Sequence, residues 1–221
     1  MLSAYVNNHL NDLRWHSDYF YFVRNRALRG RLGKEFWSAR AVYKLLEGFQ
    51  ATGALKRAQV KLQVLQYASI YEAVLHYALF TVYRRHPEVK VLRQSTWRTK
   101  VSVRTELLGK ISTTTKVPLN ELRVVREEFI DGDITKIRFD DKVRVAASLR
   151  LVTPAAAKEL NELFSARNSI HLHAEIKKGL AYQLDLSRRA FKGMKSFRAH
   201  LVQRLALDGK LPQAKSIVGE A

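Results

Sequence analysis

Glu159-Leu160-Asn161-Glu162-Leu163-Phe164-Ser165-Ala166-Arg167-Asn168-Ser169-Ile170-His171-Leu172-His173 is the stretch whose reading decides the fold. At about 100° per residue, Leu160, Leu163, Phe164, Arg167, Ile170 and His171 fall on one broad face, so the spacing predicts the back half of an amphipathic helix. Arg167 points within roughly 20° of Leu160. An arginine in line with leucines must snorkel, find an anion, or stand at an interface that needs its charge. His171 follows one turn later on the same face. A guanidinium and an imidazole so placed can hold a phosphate and move a proton beside it.

Just upstream, Thr153-Pro154 reads as N-cap and first helical residue, with three alanines behind them. Before that, Asp140 or Asp141 can cap a helix running to Leu151, with Val143, Ala146, Ala147 and Leu149 inward. Downstream, Gly179 punctuates, and a last helix is expected over 182–207, bearing Arg188, Arg189, Lys192, Lys195, Arg198 and Arg204. Residues 208–221 read as a frayed tail. In the first half, a long helix is predicted from about Ala54 to Arg85, stopped by His86-Pro87. Leu65, Ala68, Leu75 and Leu79 form its stripe, and Glu72 sits inside that stripe. A carboxylate there needs a partner, and Arg167 is the candidate, either as an active-site pair or as a structural one. His76, one turn on, reads as a core or interface histidine.

Residues 3–29 look helical, with Trp15, Tyr19, Phe20, Tyr21 and Phe22 clustered. Arg24-Asn25-Arg26 reads as surface. Gly30 and Gly33 are expected to break the pattern before a second helix over 34–49. Residues 88–138 differ in character. Strand-like alternation occurs at 99–104 and 133–139, Asp131-Gly132 is a turn signal, and a helix is plausible over 118–129. This segment, with Arg93, Arg98, Lys100, Arg104, Lys110 and Lys116, reads as a basic insertion able to meet a nucleic-acid backbone.

The net charge of +19 spread along most of 221 residues attracts nucleic acid or an anionic surface before any specific contact forms. Hydrophobic residues make up 47% of the chain, ample for a buried core. Without cysteine there is neither a disulfide nor a thiolate metal site. His171, His173 and Glu175 alternate as strand residues would, with no evident further ligand, so neither metal nor cofactor is expected. The polar N-terminus does not suit a signal peptide, and the most apolar run, 67–83, is interrupted by Glu72 and His76. The expectation is a soluble cytoplasmic protein with no membrane partner.

The run Arg167-Asn168-Ser169-Ile170-His171-Leu172-His173 resembles the Arg-Asn…His signature of HEPN domains, helical bundles of which many are metal-independent ribonucleases of toxin or anti-phage systems. That signature places four to six residues between its Arg and its His. Five separate Arg167 from His173, which fits, whereas three separate it from His171. On a straight helix His173 lies about 120° from Arg167, so geometry favours His171 and family spacing favours His173, and both stand as candidates. The resemblance implies a mainly α fold, a HEPN-like bundle made of residues 1–87 and 139–207, with a small mixed α/β insertion at 88–138. It implies a homodimer in which two copies of the motif meet, with RNA as substrate and an antitoxin or defence-complex partner. Arg167, Asn168, His171 and His173 would be catalytic and Glu72 supporting. Arg188, Arg189, Lys192, Arg104 and Lys100 are the nucleic-acid-binding candidates. The reaction implied is attack by the RNA 2′-hydroxyl without metal, in a toxin or antiviral effector. The other reading is a non-catalytic HEPN-like module that binds RNA or protein.

Overall fold

The central element of the fold is a helix apolar on nearly every side. Val60, Val64, Tyr67, Ala68, Ile70, Tyr71, Val74 and Leu75 are all buried along α4 (Gly53–Tyr77). Such a helix needs neighbours all round, and the rest of its unit supplies them. In the computed structural model the described residues are 2–122, 124–170 and 184–212. The chain divides into two compact units, Met1–Arg84 with Arg138–Ala221, and Arg85–Ile137, and is mainly α.

In the first unit α1 (Leu2–His9), α2 (Leu13–Asp18) and α3 (Arg26–Gly48) precede α4, and α7 (Phe139–Ser148), α8 (Pro154–Asn168) and α9 (Leu184–Leu207) complete it. Helices α3, α7, α8 and α9 all pack on α4. Polar bolts fix their register. Tyr71 Oη donates to the Ala190 carbonyl at 2.8 Å, Gln63 Nε2 to that of Ala39 at 3.1 Å, and the Arg24 amide to Tyr77 Oη at 3.0 Å. Thr153 accepts from the Ala156 amide at 3.1 Å with Pro154 next in line, the start that the sequence predicts for α8. The run expected to reach Arg85 stops earlier: α4 proper ends at Tyr77, Ala78–Val82 continues it as a π turn, and His86-Pro87 opens the next helix instead.

Several expectations are corrected. Residues 3–29 are not one helix: Asp12 caps α2 through the Trp15 amide, and Asn25 caps α3 through the Leu28 amide. Gly30 and Gly33 do not break a helix but lie inside α3, which therefore starts at Arg26 rather than near 34. Gly33 is there because α2 crosses it. A Cβ would come within 2.4 Å of Ser17 Oγ and 2.7 Å of Ser17 Cα. Leu65 is not an inward residue of α4, being 36% exposed. The first turn of α7 holds Asp140 and Asp141, but its N-cap is Arg138 and no side chain caps it.

The second unit holds α5 (Pro87–Arg93), β1 (Gln94–Lys100), α6 (Thr105–Thr115) and β2 (Val125–Asp131). The strands pair antiparallel, with Gln94 opposite Asp131 and Lys100 opposite Val125. Neither strand is where alternation suggested. Asp133 Oδ1 accepts from the Thr135 amide at 2.9 Å, so the start of the 133–139 stretch is a side-chain-closed turn. Nor is 118–129 a helix: Pro118 accepts from the Glu121 and Leu122 amides in a single turn, and 125–131 is strand. Asp131-Gly132 is the exit of the ladder, with the Gly132 amide on the Arg93 carbonyl at 2.7 Å, rather than a hairpin tip.

Candidate active site

Arg167 lies in the last turn of α8. Its guanidinium sits 4.8 Å from the centroid of Phe164, one turn earlier, and Phe164 stacks on Phe139 with centroids 3.9 Å apart and planes 11° from parallel. Phe139 opens α7, so the platform beneath the arginine is built by two helices. Arg167 Nη1 donates to Asn168 Oδ1 at 3.2 Å. Among the described residues no carboxylate meets Arg167. A guanidinium above a ring face can still offer N–H groups to an anion.

The helix that carries Arg167 stops immediately after Asn168. Ser169 is buried, its Oγ donates to the Ser165 carbonyl at 2.7 Å, and its amide turns back to the Ala166 carbonyl at 3.0 Å. This back-bonding tightens the last turn and ends the α geometry. The helix therefore does not run unbroken past Asn168, the condition under which His171 is expected on the Arg167 face. His171 and His173 lie outside the described residues, as does Glu175.

Glu72 does not pair with Arg167. Its Oε1 lies 3.1 Å from Lys142 Nζ, a side chain only 2% exposed. The reason is positional: Lys142 shares the inward face of α7 with Phe139, Val143 and Ala146 and, unlike Arg167, has no route to solvent. Helix α7 nonetheless links the two places. Phe139 and Lys142, one turn apart, hold the Arg167 platform and the Glu72 carboxylate respectively. His76 lies one turn beyond Glu72, edge-on to Phe80 at 4.8 Å. Burial lowers its pKa, the nearby Lys142 ammonium lowers it further, and Glu72 opposes both. His76 is thus neutral at pH 7.

Sequence reasoning missed Lys142 and Phe139. Both recur at the i, i+3, i+4, i+7 spacing of the α7 apolar face, a signal that the charge of Lys142 concealed. Of the remaining cations, Arg188 and Lys192 are exposed on α9. Arg189 is engaged by Asp185 at 3.0 Å and Glu162 at 3.4 Å, an exposed network that holds it loosely. Arg104 is exposed at the start of α6 in the second unit. Lys100 ends β1, and its side chain lies outside the described residues. Among the described residues no helix is long and apolar enough to cross a membrane. Compared with protein-family models, with curated proteins and with solved structures, the chain matches none.

Proposed function

We propose that the chain is a metal-independent endoribonuclease with a HEPN-like bundle and a small inserted unit, acting as a symmetric dimer in the cytoplasm. The observation that carries this reading is Arg167, a cation held over the ring of Phe164 beside Asn168 with no carboxylate among the described residues to neutralise it. The charge of +19 supports RNA as the partner.

The chemistry asks little of the protein, because RNA carries its own nucleophile. A base removes the 2′-hydroxyl proton, O2′ bonds to phosphorus, the P–O5′ bond breaks, and an acid returns a proton to O5′. Arg167 stabilises the negative charge that builds on the phosphoryl oxygens. His171 or His173 serves as base or acid. Asn168 holds the guanidinium in register. Across a two-fold axis each motif gains the groups of its copy. A toxin or phage-defence effector of this kind would be held in check by an antitoxin or a larger complex.

Pure protein incubated with a mixed RNA pool in EDTA is expected to yield fragments with 2′,3′-cyclic phosphate and 5′-hydroxyl ends. Arg167→Ala and the pair His171→Ala with His173→Ala should cut their yield by roughly 100-fold or more. Salt-dependent RNA binding with no fragments at all would overturn the nuclease and leave an RNA-binding module. That second reading draws on one observation: among the described residues no titratable group pairs with Arg167.

A further inference from the structure

Arg40 on α3 is ringed by aromatic side chains. Its guanidinium carbon lies 5.4 Å from the centroid of Trp15, 5.7 Å from that of Phe191 and 6.0 Å from that of Phe36. Its Nη1 donates to His16 Nε2 at 3.0 Å. His16 is fully buried, with Nδ1 2.7 Å from the Asp12 carbonyl. A carbonyl only accepts, so Nδ1 carries the proton and Nε2 is the lone pair that Arg40 uses. The bond places the guanidinium without neutralising it. Among the described residues no carboxylate meets Arg40, and no second hydrogen bond uses its N–H groups. A cation set among rings in this way is disfavoured until an anion joins it.

Arg40 borders a cavity of about 250 Å³ that Tyr67 also lines. Tyr67 is 1% exposed, and among the described residues its hydroxyl has no hydrogen-bond partner. Gln63 Oε1, in the same lining, is sealed off completely, whereas Tyr67 Oη is not, so the little surface that this hydroxyl keeps faces the cavity. The two heads are neighbours. Burial lowers the Arg40 pKa and the nearby phenol opposes it, while burial raises the Tyr67 pKa and the nearby guanidinium opposes that. Lys44, a further lining residue, is already engaged by Glu47 at 2.5 Å. Leu10, Tyr43 and Phe191 supply apolar wall.

We propose that this cavity binds a small aromatic carboxylic acid, its carboxylate held by Arg40 and Tyr67 and its ring laid against Phe191 and Leu10. One carboxylate serves both donors, since its oxygens accept from a guanidinium and from a phenol O–H together. A ring suits the walls better than an alkyl chain, because Tyr43, Tyr67 and Phe191 offer it aromatic partners. Acetate or inorganic phosphate meets the donors and leaves those walls wet. A neutral aromatic leaves the guanidinium without its anion. The volume equals the share of roughly eight waters, room for a ring with a short acid arm. Arg167 and its platform line no part of this cavity, so the inference stands apart from cleavage.

The test is calorimetric titration of the full chain with benzoate, phenylacetate, phenylpropionate and indoleacetate, against phenylacetamide, acetate, hexanoate, inorganic phosphate and AMP. At least one aromatic acid should saturate one site per chain, at least about tenfold tighter than phenylacetamide, acetate or phosphate. Tyr67→Phe removes a hydroxyl that no protein group uses, so it should fold as wild type and bind that acid about tenfold more weakly. Arg40→Gln, which also disturbs the His16 bond, should lose the binding altogether. No saturable binding by any aromatic acid overturns the proposal, as does unchanged affinity in Tyr67→Phe. So does hexanoate or AMP bound as tightly as the best aromatic acid. An equal loss in Lys195→Gln, an exposed cation of α9 that does not line the cavity, overturns it too.

Discussion

Lys142 Nζ and Glu72 Oε1 stand 3.1 Å apart, and the two ends of the pair differ in their access to water: the lysine side chain is 2% exposed and the glutamate 30%. The pair ties α7 to the central helix. Its two halves are therefore unequal. Glu72→Ala strands a buried ammonium and should cost about 3 kcal/mol. Lys142→Met keeps the volume and leaves a carboxylate that water still reaches, so its cost should stay below about 1 kcal/mol. Urea unfolding of the two variants measures the difference, and equal costs would contradict the asymmetry.

Two glycines of α3 give opposite predictions for the same substitution. Nothing lies within 4 Å of a Cβ added to Gly30, so Gly30→Ala should stabilise by about 1 kcal/mol through helix propensity. At Gly33 the added Cβ meets Ser17 Oγ at 2.4 Å and Ser17 backbone atoms at 2.7 and 2.8 Å. Overpacking of this kind costs about 1–3 kcal/mol and outweighs the propensity gain, so Gly33→Ala should lower the melting temperature. A stabilised Gly33→Ala protein would mean that α2 moves freely over α3.

What the sequence discloses and what it hides divide along the range of the forces involved. The start of α8 at Thr153-Pro154 is legible because a cap and a proline act within one turn, whereas α4 gives way to a π turn at Ala78, well before His86-Pro87. Gly33 misleads because its reason is Ser17, a residue of another helix. Residues 133–139 mimic a strand, but the Asp133 side chain closes a turn at Thr135, while the true pairing of 94–100 with 125–131 is non-local and leaves no alternation to read. At the candidate site Arg167 and Asn168 are legible as a pair, and the structure joins them by a hydrogen bond. Ser169 is where the periodicity fails: its hydroxyl bonds back to Ser165 and the helix ends two residues short of His171. Lys142 is hidden because a charge on an apolar face is easily taken for an exposed residue.

Stability should depend on pH between 5 and 7 through His16. Burial lowers its pKa below the ordinary 6.5, with the Arg40 charge adding to the effect and the Asp12 carbonyl opposing it. The unfolded chain then binds the proton more readily than the folded one, so stability is full above 6.5 and falls as pH drops through the window below it. His76 adds in the same direction. The denaturant midpoint should therefore fall from pH 7 to pH 5. His16→Gln, which keeps an acceptor for Arg40 and cannot titrate, should flatten part of that slope. An undiminished slope in the variant would remove His16 from the account.

Arg167 should prove important for RNA cleavage and nearly irrelevant to folding. A cation on an aromatic face at the surface contributes about 0.5–1 kcal/mol, so Arg167→Ala should unfold close to the wild-type midpoint. Removing a charge that stabilises a transition state costs roughly 100- to 1,000-fold in rate, and cleavage by that variant should fall by that much. Arg167→Lys keeps the charge but not the planar fork that lies on Phe164 and reaches Asn168, so it should restore little of the activity. Phe164→Leu tests the platform itself. It leaves Arg167 in place on α8 and removes the ring that orients it, so turnover should fall while RNA affinity barely changes. Single-turnover rates and binding isotherms for the three variants separate these effects. An Arg167→Lys protein that cuts RNA as fast as wild type would show that charge alone suffices and that the stacked geometry has no part in the reaction.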